Sequence, residues 1–126
     1  MIRVCHVDEV PLDTGVAVLI GEEQLALFRI GPSERWFALE NSCPHLGQMV
    51  LARGLIAEKE GRFYVCCPLH KNAFDLESGA HADGRWCLRT YPVTIIRGEV
   101  YVAYDAARGD AESEPGFRRV SLAAPL

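Results

Sequence analysis

The sequence predicts an all-β domain folded as an antiparallel β-sandwich or a small barrel. Its apolar segments are short, they are separated by glycine, proline and charged residues, and no run of good helix formers exceeds two turns. Strands of this length, spaced by turn residues, are typical of antiparallel sandwiches and barrels. Six segments are predicted to be strands: residues 16–20, 25–30, 36–39, 63–66, 91–96 and 100–104.

The first predicted strand indicates its own place in the sheet. Val16, Val18 and Ile20 alternate with Ala17 and Leu19, so both faces of this strand are apolar. A strand that is apolar on both faces is expected inside a packed sheet rather than at its surface.

Two other segments bear on the strand prediction. The last two strands are separated only by Arg-Gly-Glu at residues 97–99, which predicts a hairpin turn. Residues 55–60 are good helix formers, but Gly54 and Gly61 bracket them. We interpret this segment either as a helix of less than two turns or as a strand and a turn.

Length and charge limit the classes of function. The chain has 126 residues, enough for one domain with a buried core, and 49% of them are hydrophobic. Thirteen basic and seventeen acidic residues give a net charge of −4 without long runs of either sign. This charge pattern argues against a nucleic-acid or membrane-surface partner. Because the start lacks the pattern of a secretory signal, we expect a cytoplasmic protein.

The predicted domain ends before the last residue. Residues 1–104 contain all the predicted strands and are expected to form one domain. From residue 105 onward the composition shifts to Ala, Arg, Glu and Gly, with Pro115 and Gly116. Residues 105–126 are therefore predicted to be a tail that is either loose or docked on the domain.

Two segments carry metal-ligating residues in matching patterns. Cys-Pro-His-Leu-Gly occupies residues 43–47 and Cys-Pro-Leu-His occupies residues 67–70, so each segment supplies one cysteine and one histidine. A [2Fe–2S] cluster in which two thiolates hold one iron and two imidazoles hold the other requires this set. The proline after each cysteine stiffens the turn, and Gly47 lets the backbone pass close to a cluster. The candidate ligands are Cys43, His45, Cys67 and His70.

Cys66 and Cys67 are adjacent, and only one of them is expected to be a ligand. Side chains alternate between the two faces of a strand, so both sulfurs cannot point at one metal. Only Cys67 has a histidine three residues later, at His70. We therefore predict that Cys67 is the ligand and that Cys66 is a small packed residue. The ligand histidines, near the loop tips, are expected to reach the surface while the thiolates stay inside.

A structural zinc site is the alternative interpretation of the four residues. Two cysteines and two histidines also form a tetrahedral zinc set. Zinc sites more often group like ligands in short Cys-Cys and His-His pairs, whereas unlike ligands alternate in this sequence. The alternation favours the iron–sulfur cluster, and a zinc-stabilised, non-redox binding module is kept as a different class of function.

The paired loops resemble the signature of the Rieske [2Fe–2S] family. Segments outside the loops are similar to the small subunit of the cytoplasmic NAD(P)H-dependent nitrite reductase: residues 36–41, 50–55, 74–79, 89–93 and 98–102. The resemblance implies a Rieske-type fold with a cluster-binding subdomain of two metal-ligand loops and one cluster per chain. It also implies an electron carrier without its own substrate site, paired with a large subunit in the assimilatory reduction of nitrite to ammonia.

The same residues fit a second redox role. A free Rieske ferredoxin that supplies an aromatic-ring dioxygenase would need the same ligands and the same fold. In both redox roles the partner is another protein, and neither nucleic acid nor a membrane is expected to take part.

The resemblance also predicts a low reduction potential. Rieske proteins of cytochrome bc complexes carry a serine and a tyrosine that donate hydrogen bonds near the cluster, and this chain has Asn72 and Phe74 there. Hydrogen bonds to cluster sulfurs stabilise the reduced state, so fewer donors predict the low end of the Rieske range, roughly −150 mV.

The remaining cysteines and histidines are expected to be structural or exposed. Cys5 and Cys87 are predicted to be buried thiols, because neither has a histidine at the short spacing seen in the two loops. His6 and His81 are predicted to lie at the surface, with a position near the cluster as the alternative for His81. Trp86 is predicted to belong to the core.

Overall fold

The computed structural model describes residues 1–45 and 47–104, together with the backbone of a further strand at 120–122. Strands dominate this part of the chain, which also contains two single-turn 3₁₀ helices, η1 (Val7–Glu9) and η2 (Leu51–Arg53). The strands are β1 (Ile2–His6), β2 (Thr14–Ile20), β3 (Glu23–Ile30), β4 (Arg35–Glu40), β5 (Ser42–Cys43), β6 (Gln48–Met49), β7 (Leu55–Lys59), β8 (Arg62–Cys66), β9 (Ala73–Asp75), β10 (Thr90–Tyr91), β11 (Val93–Ile96), β12 (Glu99–Val102) and β13 (Val120–Leu122).

A five-stranded antiparallel sheet with the order β10-β4-β3-β2-β13 forms the middle layer of the fold. Its side chains alternate between two separate cores. Val16, Val18 and Leu27 are buried on one face, whereas Ala17 and Phe28 are buried on the other. The prediction that the strand at 16–20 has two buried faces and lies inside a sheet is confirmed, since β2 pairs with β3 and with β13.

A three-stranded antiparallel sheet with the order β1-β12-β11 covers the first face of the middle layer. Val4 and Cys5 from β1 and Val100 and Val102 from β12 are buried in the core between the two sheets. β11 and β12 pair as the hairpin that was predicted around residues 97–99.

The predicted strand at 91–96 is divided between two sheets. β10 pairs with β4, whereas β11 pairs with β12, and Pro92 lies between them. Proline has no N–H to donate to a ladder, so it suits the point where the chain leaves one sheet for another. The described strands form a layered sandwich, and within the described residues no ladder closes them into a barrel.

The second face of the middle layer carries the smaller subdomain. It consists of the sheet β7-β8-β9 and the short pair β5-β6. β7 pairs with β8 along its whole length, so the ambiguous segment after Gly54 is a strand and not a helix. Val65 and Phe74 from this subdomain pack with Phe28 and Leu39 of the middle layer in the second core.

Asn41 links the middle layer to the start of the subdomain. The residue is 1% exposed, and its Oδ1 accepts a hydrogen bond from the Ala52 N–H at 2.7 Å. Its Nδ2 donates to Gln24 Oε1 at 3.0 Å, and its carbonyl accepts from the Leu51 N–H at 3.1 Å. A buried amide whose groups are paired in this way fixes η2 against the end of β4, two residues before Cys43 begins the first loop.

Residues 105–119 and 123–126, most of the predicted tail, lie outside the described residues. The division at residue 104 and the loose or docked tail therefore stay predictions. β13 lies within the predicted tail and pairs antiparallel with β2. Both described helices have three residues, so none in the described part of the chain has the length and apolarity to cross a membrane.

Candidate metal centre

The two predicted ligand loops adopt the same turn. The Gly47 N–H donates to the Cys43 carbonyl at 2.8 Å, and the Lys71 N–H donates to the Cys67 carbonyl at 2.8 Å. The fifth residue of each turn has a positive φ, 73° at Gly47 and 60° at Lys71. Gly47 therefore provides the positive φ that this turn requires. The role predicted from the sequence was a different one, the close approach of the backbone to a cluster.

Strands hold both ends of each loop. In the first loop, Cys43 pairs with Gln48 across the short ladder between β5 and β6. In the second, the Cys67 N–H donates to the Asn72 carbonyl at 2.7 Å, directly before β9 begins. Each cysteine is thus fixed by backbone hydrogen bonds at the base of its loop.

Gly54 brings β7 close to the base of the second loop. A Cβ at this position would lie 2.4 Å from the Cys66 carbonyl oxygen and 2.6 Å from a Val65 methyl carbon. Any side chain at Gly54 would displace the backbone just before Cys67, so glycine is required by the close approach of two strands.

The four candidate ligands divide into an inner and an outer pair. Cys43 and Cys67 are buried, with 2% and 1% exposure, whereas His45 and His70 are exposed. The two imidazole rings lie edge to face with centroids 4.5 Å apart. The expectation that the histidines reach the surface while the sulfurs stay inside is confirmed.

The two sulfurs are neighbours. Burial raises the pKa of the Cys43 thiol above its ordinary value, and the adjacent Cys67 thiol raises it further. The backbone N–H of His45 and the side-chain amide of Asn72 donate toward the Cys43 sulfur and act in the opposite direction. The donors aimed at this sulfur stabilise negative charge on it.

The donors suit a two-iron cluster. Within residues 1–45 and 47–104, no three His, Cys, Asp or Glu side chains are arranged around one point as a single metal ion requires. Instead, one thiol lies beside the other thiol and one imidazole beside the other imidazole. A cluster with two thiolates on one iron and two imidazoles on the other needs two such pairs, whereas a zinc ion needs all four ligands at one centre.

Asn72 changes the expectation about hydrogen-bond donors. Its Nδ2 lies 4.0 Å from the Cys43 Sγ, so the asparagine is itself a donor directed at a candidate ligand. Phe74, which occupies the other position where cytochrome bc Rieske proteins have a donor, is fully buried in the second core. The site retains one of the two side-chain donors that were expected to be missing.

The predicted surface position of His81 is wrong. The residue is 4% exposed, and its ring packs against Phe74 and Trp86 with centroid distances of 5.2 and 4.8 Å. Trp86 also lies 5.9 Å from the His45 ring, and it is partly buried against the core as predicted. Strand alternation carried no signal for His81, because the residue lies in an irregular segment outside the strands.

The three cysteines outside the candidate set lie in different environments. Cys5 is buried as predicted, and burial raises the pKa of its thiol to about 11. Cys87 is exposed, contrary to the prediction, and its thiol lies 3.8 Å from the Ser78 carbonyl oxygen. Cys66 is half-buried on β8 and pairs with Leu55.

The shared turn makes a prediction about stability. Lys71 occupies a left-handed conformation that favours glycine, so Lys71→Gly should raise the free energy of unfolding by about 0.5–1 kcal/mol. Gly47→Ala should lower it by a similar amount, since a Cβ there gains no contact within 4 Å to offset the strain. Chemical denaturation of both variants measures the two changes, and a less stable Lys71→Gly protein or a more stable Gly47→Ala protein would contradict the common turn.

Comparison with known proteins identifies the family. The family profile of the Rieske-like [2Fe–2S] domain matches residues 1–103. The small subunit of the nitrite reductase (NADH) of Escherichia coli (strain K12) is 38% identical over 98 residues, which cover 77% of this chain and 91% of that subunit. The ferredoxin subunit of anthranilate 1,2-dioxygenase from Burkholderia cepacia is 34% identical over 98 residues, which cover 76% of this chain and 84% of that subunit.

The solved structures agree. The NMR structure of the E. coli protein NirD matches this chain with a TM-score of 0.73 and 35% sequence identity, covering 86% of this chain and 96% of NirD. The residues that the family profile matches, 1–103, include both ligand loops. This chain therefore belongs to the Rieske-like [2Fe–2S] domain family, and its cofactor is a Rieske [2Fe–2S] cluster.

Proposed function

We propose that this chain is the electron-transfer small subunit of an assimilatory NAD(P)H-dependent nitrite reductase, with its cluster held by Cys43, His45, Cys67 and His70. The observation that carries the assignment of ligands is the inner pair of buried thiols beneath an outer pair of exposed imidazoles. The 38% identity to a nitrite reductase small subunit, over 91% of that subunit, supports the assignment of function.

The residues around the cluster bind it and present it. The cluster, when bound, accepts and releases one electron at a time. The buried Cys43 and Cys67 would hold it on the side away from water, whereas the exposed His45 and His70 would hold it at the protein surface. Leu69, which precedes His70 and is 51% exposed, adds an apolar contact to the surface that a partner protein would cover.

The proposed partner is a larger reductase subunit that contains the nitrite-reducing site. A one-electron carrier needs a donor and an acceptor, and the exposed imidazoles leave an open face for such a protein. The relative of matching length is named a small subunit, which supports this assembly. We place the complex in the cytoplasm, as expected for the small subunit of an NAD(P)H-dependent nitrite reductase.

A free ferredoxin that supplies an aromatic-ring dioxygenase is the second candidate. It is supported by the 34% identity to a dioxygenase ferredoxin subunit, over 84% of that protein. The higher identity and the more complete coverage of the nitrite reductase small subunit favour the first candidate. A zinc-stabilised binding module fits less well, because the family profile that matches residues 1–103 is that of a [2Fe–2S] domain.

The cluster is tested by spectroscopy on the purified chain. We expect a red-brown protein with about two irons and two sulfides per chain and, after anaerobic reduction with dithionite, an electron paramagnetic resonance signal of mixed Cys/His ligation. A colourless protein that contains one zinc would contradict the proposal.

The redox partner is tested by co-expression. We expect the chain to co-purify with the large nitrite reductase subunit of the same organism and to restore NAD(P)H-dependent nitrite consumption to it. Restored electron delivery to a ring dioxygenase, without any effect on nitrite consumption, would favour the ferredoxin role instead.

A further inference from the structure

His81 is a buried polar residue that the four proposed ligands do not include. It lies on the segment between β9 and β10 and is 4% exposed. Its backbone is fixed on both sides, because its N–H donates to the Trp86 carbonyl at 2.9 Å and its carbonyl accepts from the Gly84 N–H at 2.9 Å. A buried imidazole held this firmly has a defined orientation relative to its neighbours.

The hydrogen bonds of the ring define which nitrogen carries the proton. His81 Nδ1 accepts from the Arg85 N–H at 3.4 Å, so in the neutral ring the proton is on Nε2. Nε2 lies 3.3 Å from Asn72 Oδ1. The imidazole therefore donates to the oxygen of the Asn72 amide.

This contact in turn orients the amide. With Oδ1 facing His81, the NH₂ group of Asn72 is directed the other way, toward the Cys43 Sγ at 4.0 Å. Rotation of the amide by 180° would place its NH₂ group against the Nε2–H of His81, two donors face to face. His81 thus selects the orientation in which Asn72 presents a donor to the sulfur.

We propose that His81 is a positioning residue, which acts through Asn72 to aim a hydrogen-bond donor at the Cys43 sulfur and thereby raises the reduction potential of the cluster. The inference rests on the proposed function, because it assigns Cys43 as a ligand. The reduced cluster is more negative than the oxidised cluster, so a donor directed at a ligand sulfur stabilises the reduced state more.

The test compares two polar replacements of His81. Gln places an amide near the position of Nε2 and can still donate to Asn72, whereas Asn is shorter and can replace only Nδ1. We expect His81→Asn to reduce the equilibrium constant for reduction about tenfold, which is about 59 mV for one electron. His81→Gln should stay close to the wild type in protein-film voltammetry.

The connection through Asn72 is tested by a double variant. Asn72→Ala removes the donor and should lower the potential by the same amount as His81→Asn. Asn72→Ala/His81→Asn should then lower it no further, because the two residues act in series. Cys87→Ser changes an exposed residue next to Trp86 in the sequence. It is the control and should leave the potential unchanged.

Three results would overturn the inference. These are an unchanged potential in His81→Asn, an unchanged potential in Asn72→Ala, and additive shifts in the double variant. If His81→Asn does not bind the cluster, the potential of His81→Phe is measured instead, because this variant keeps the ring contacts with Phe74 and Trp86. Iron, sulfide and paramagnetic resonance measurements on the wild type come first, so an absent cluster counts against the proposed function and is distinguished from a failure of the His81 inference.

Discussion

Cys67→Ala is expected to abolish the cluster, whereas Cys66→Ala is expected to retain it. The two residues are neighbours in sequence, but they differ in position. Cys67 is 1% exposed, and its thiol lies beside that of Cys43. Cys66 is the last residue of β8, is half-buried and pairs with Leu55 on the adjacent strand. Loss of Cys67 would leave one iron with a single protein thiolate, because strand alternation directs the Cys66 side chain elsewhere.

The measurement is the iron and sulfide content together with the visible absorption of each purified variant. His45→Ala should behave like Cys67→Ala, since it removes one of the two imidazoles of the outer pair. Cys87→Ser should behave like Cys66→Ala. A colourless Cys66→Ala protein beside a coloured Cys67→Ala protein would show that the assigned sulfur is the wrong one.

Asp75→Ala is expected to lower the free energy of unfolding at pH 7 by about 3 kcal/mol. Asp75 is 5% exposed at the end of β9 and accepts hydrogen bonds from the Glu77 and Ser78 N–H groups at 2.8 and 3.0 Å. It also forms an ion pair with Arg62 on β8. Removal of the carboxylate leaves these donors without their partner, and hydrogen bonds to a charged group contribute more than neutral ones.

The same carboxylate gives a defined dependence on pH. Burial by itself would raise the pKa of Asp75, but the Arg62 guanidinium and the N–H groups of Ser78 and Glu77 outweigh it and lower the pKa below the ordinary 3.8. A carboxyl group with a lowered pKa in the folded state stabilises the protein above its unfolded pKa. That contribution is lost as the pH falls through the folded value.

The difference in stability between wild type and Asp75→Ala should therefore be constant near neutral pH and should shrink below about pH 3.8. Denaturation midpoints at several pH values measure it. Glu77→Gln is a matched control, because the Glu77 side chain is 63% exposed and its 3.7 Å contact with Arg35 lies at the surface. An exposed ion pair of this kind contributes less than about 1 kcal/mol. A difference that grows in acid would contradict the lowered pKa.

Local sequence patterns predicted the ligand loops and the principal strands. Cys43, His45, Cys67 and His70 were selected from spacing within two five-residue turns, and the inner and outer pairs occupy the positions expected for them. The alternation of residues 16–20 likewise predicted a strand with two buried faces. Turn chemistry and side-chain alternation depend only on residues that are close together in the chain, so both can be recognised in a single sequence.

Other features depended on residues that are distant in sequence. Residues 55–59 were compatible with a helix or a strand, and pairing with β8 decided in favour of the strand. Pro92 divided a predicted strand because two separate sheets were available on its two sides.

The surroundings of the metal centre show the same division between local and tertiary information. The sequence by itself predicted which four side chains bind the cluster, because their chemistry and spacing are local properties. Only the tertiary structure decided that His81 is buried and faces Asn72, since its burial depends on Phe74 and Trp86 packing around it. The orientation of the Asn72 amide toward the Cys43 sulfur follows from that packing, which strand periodicity does not encode.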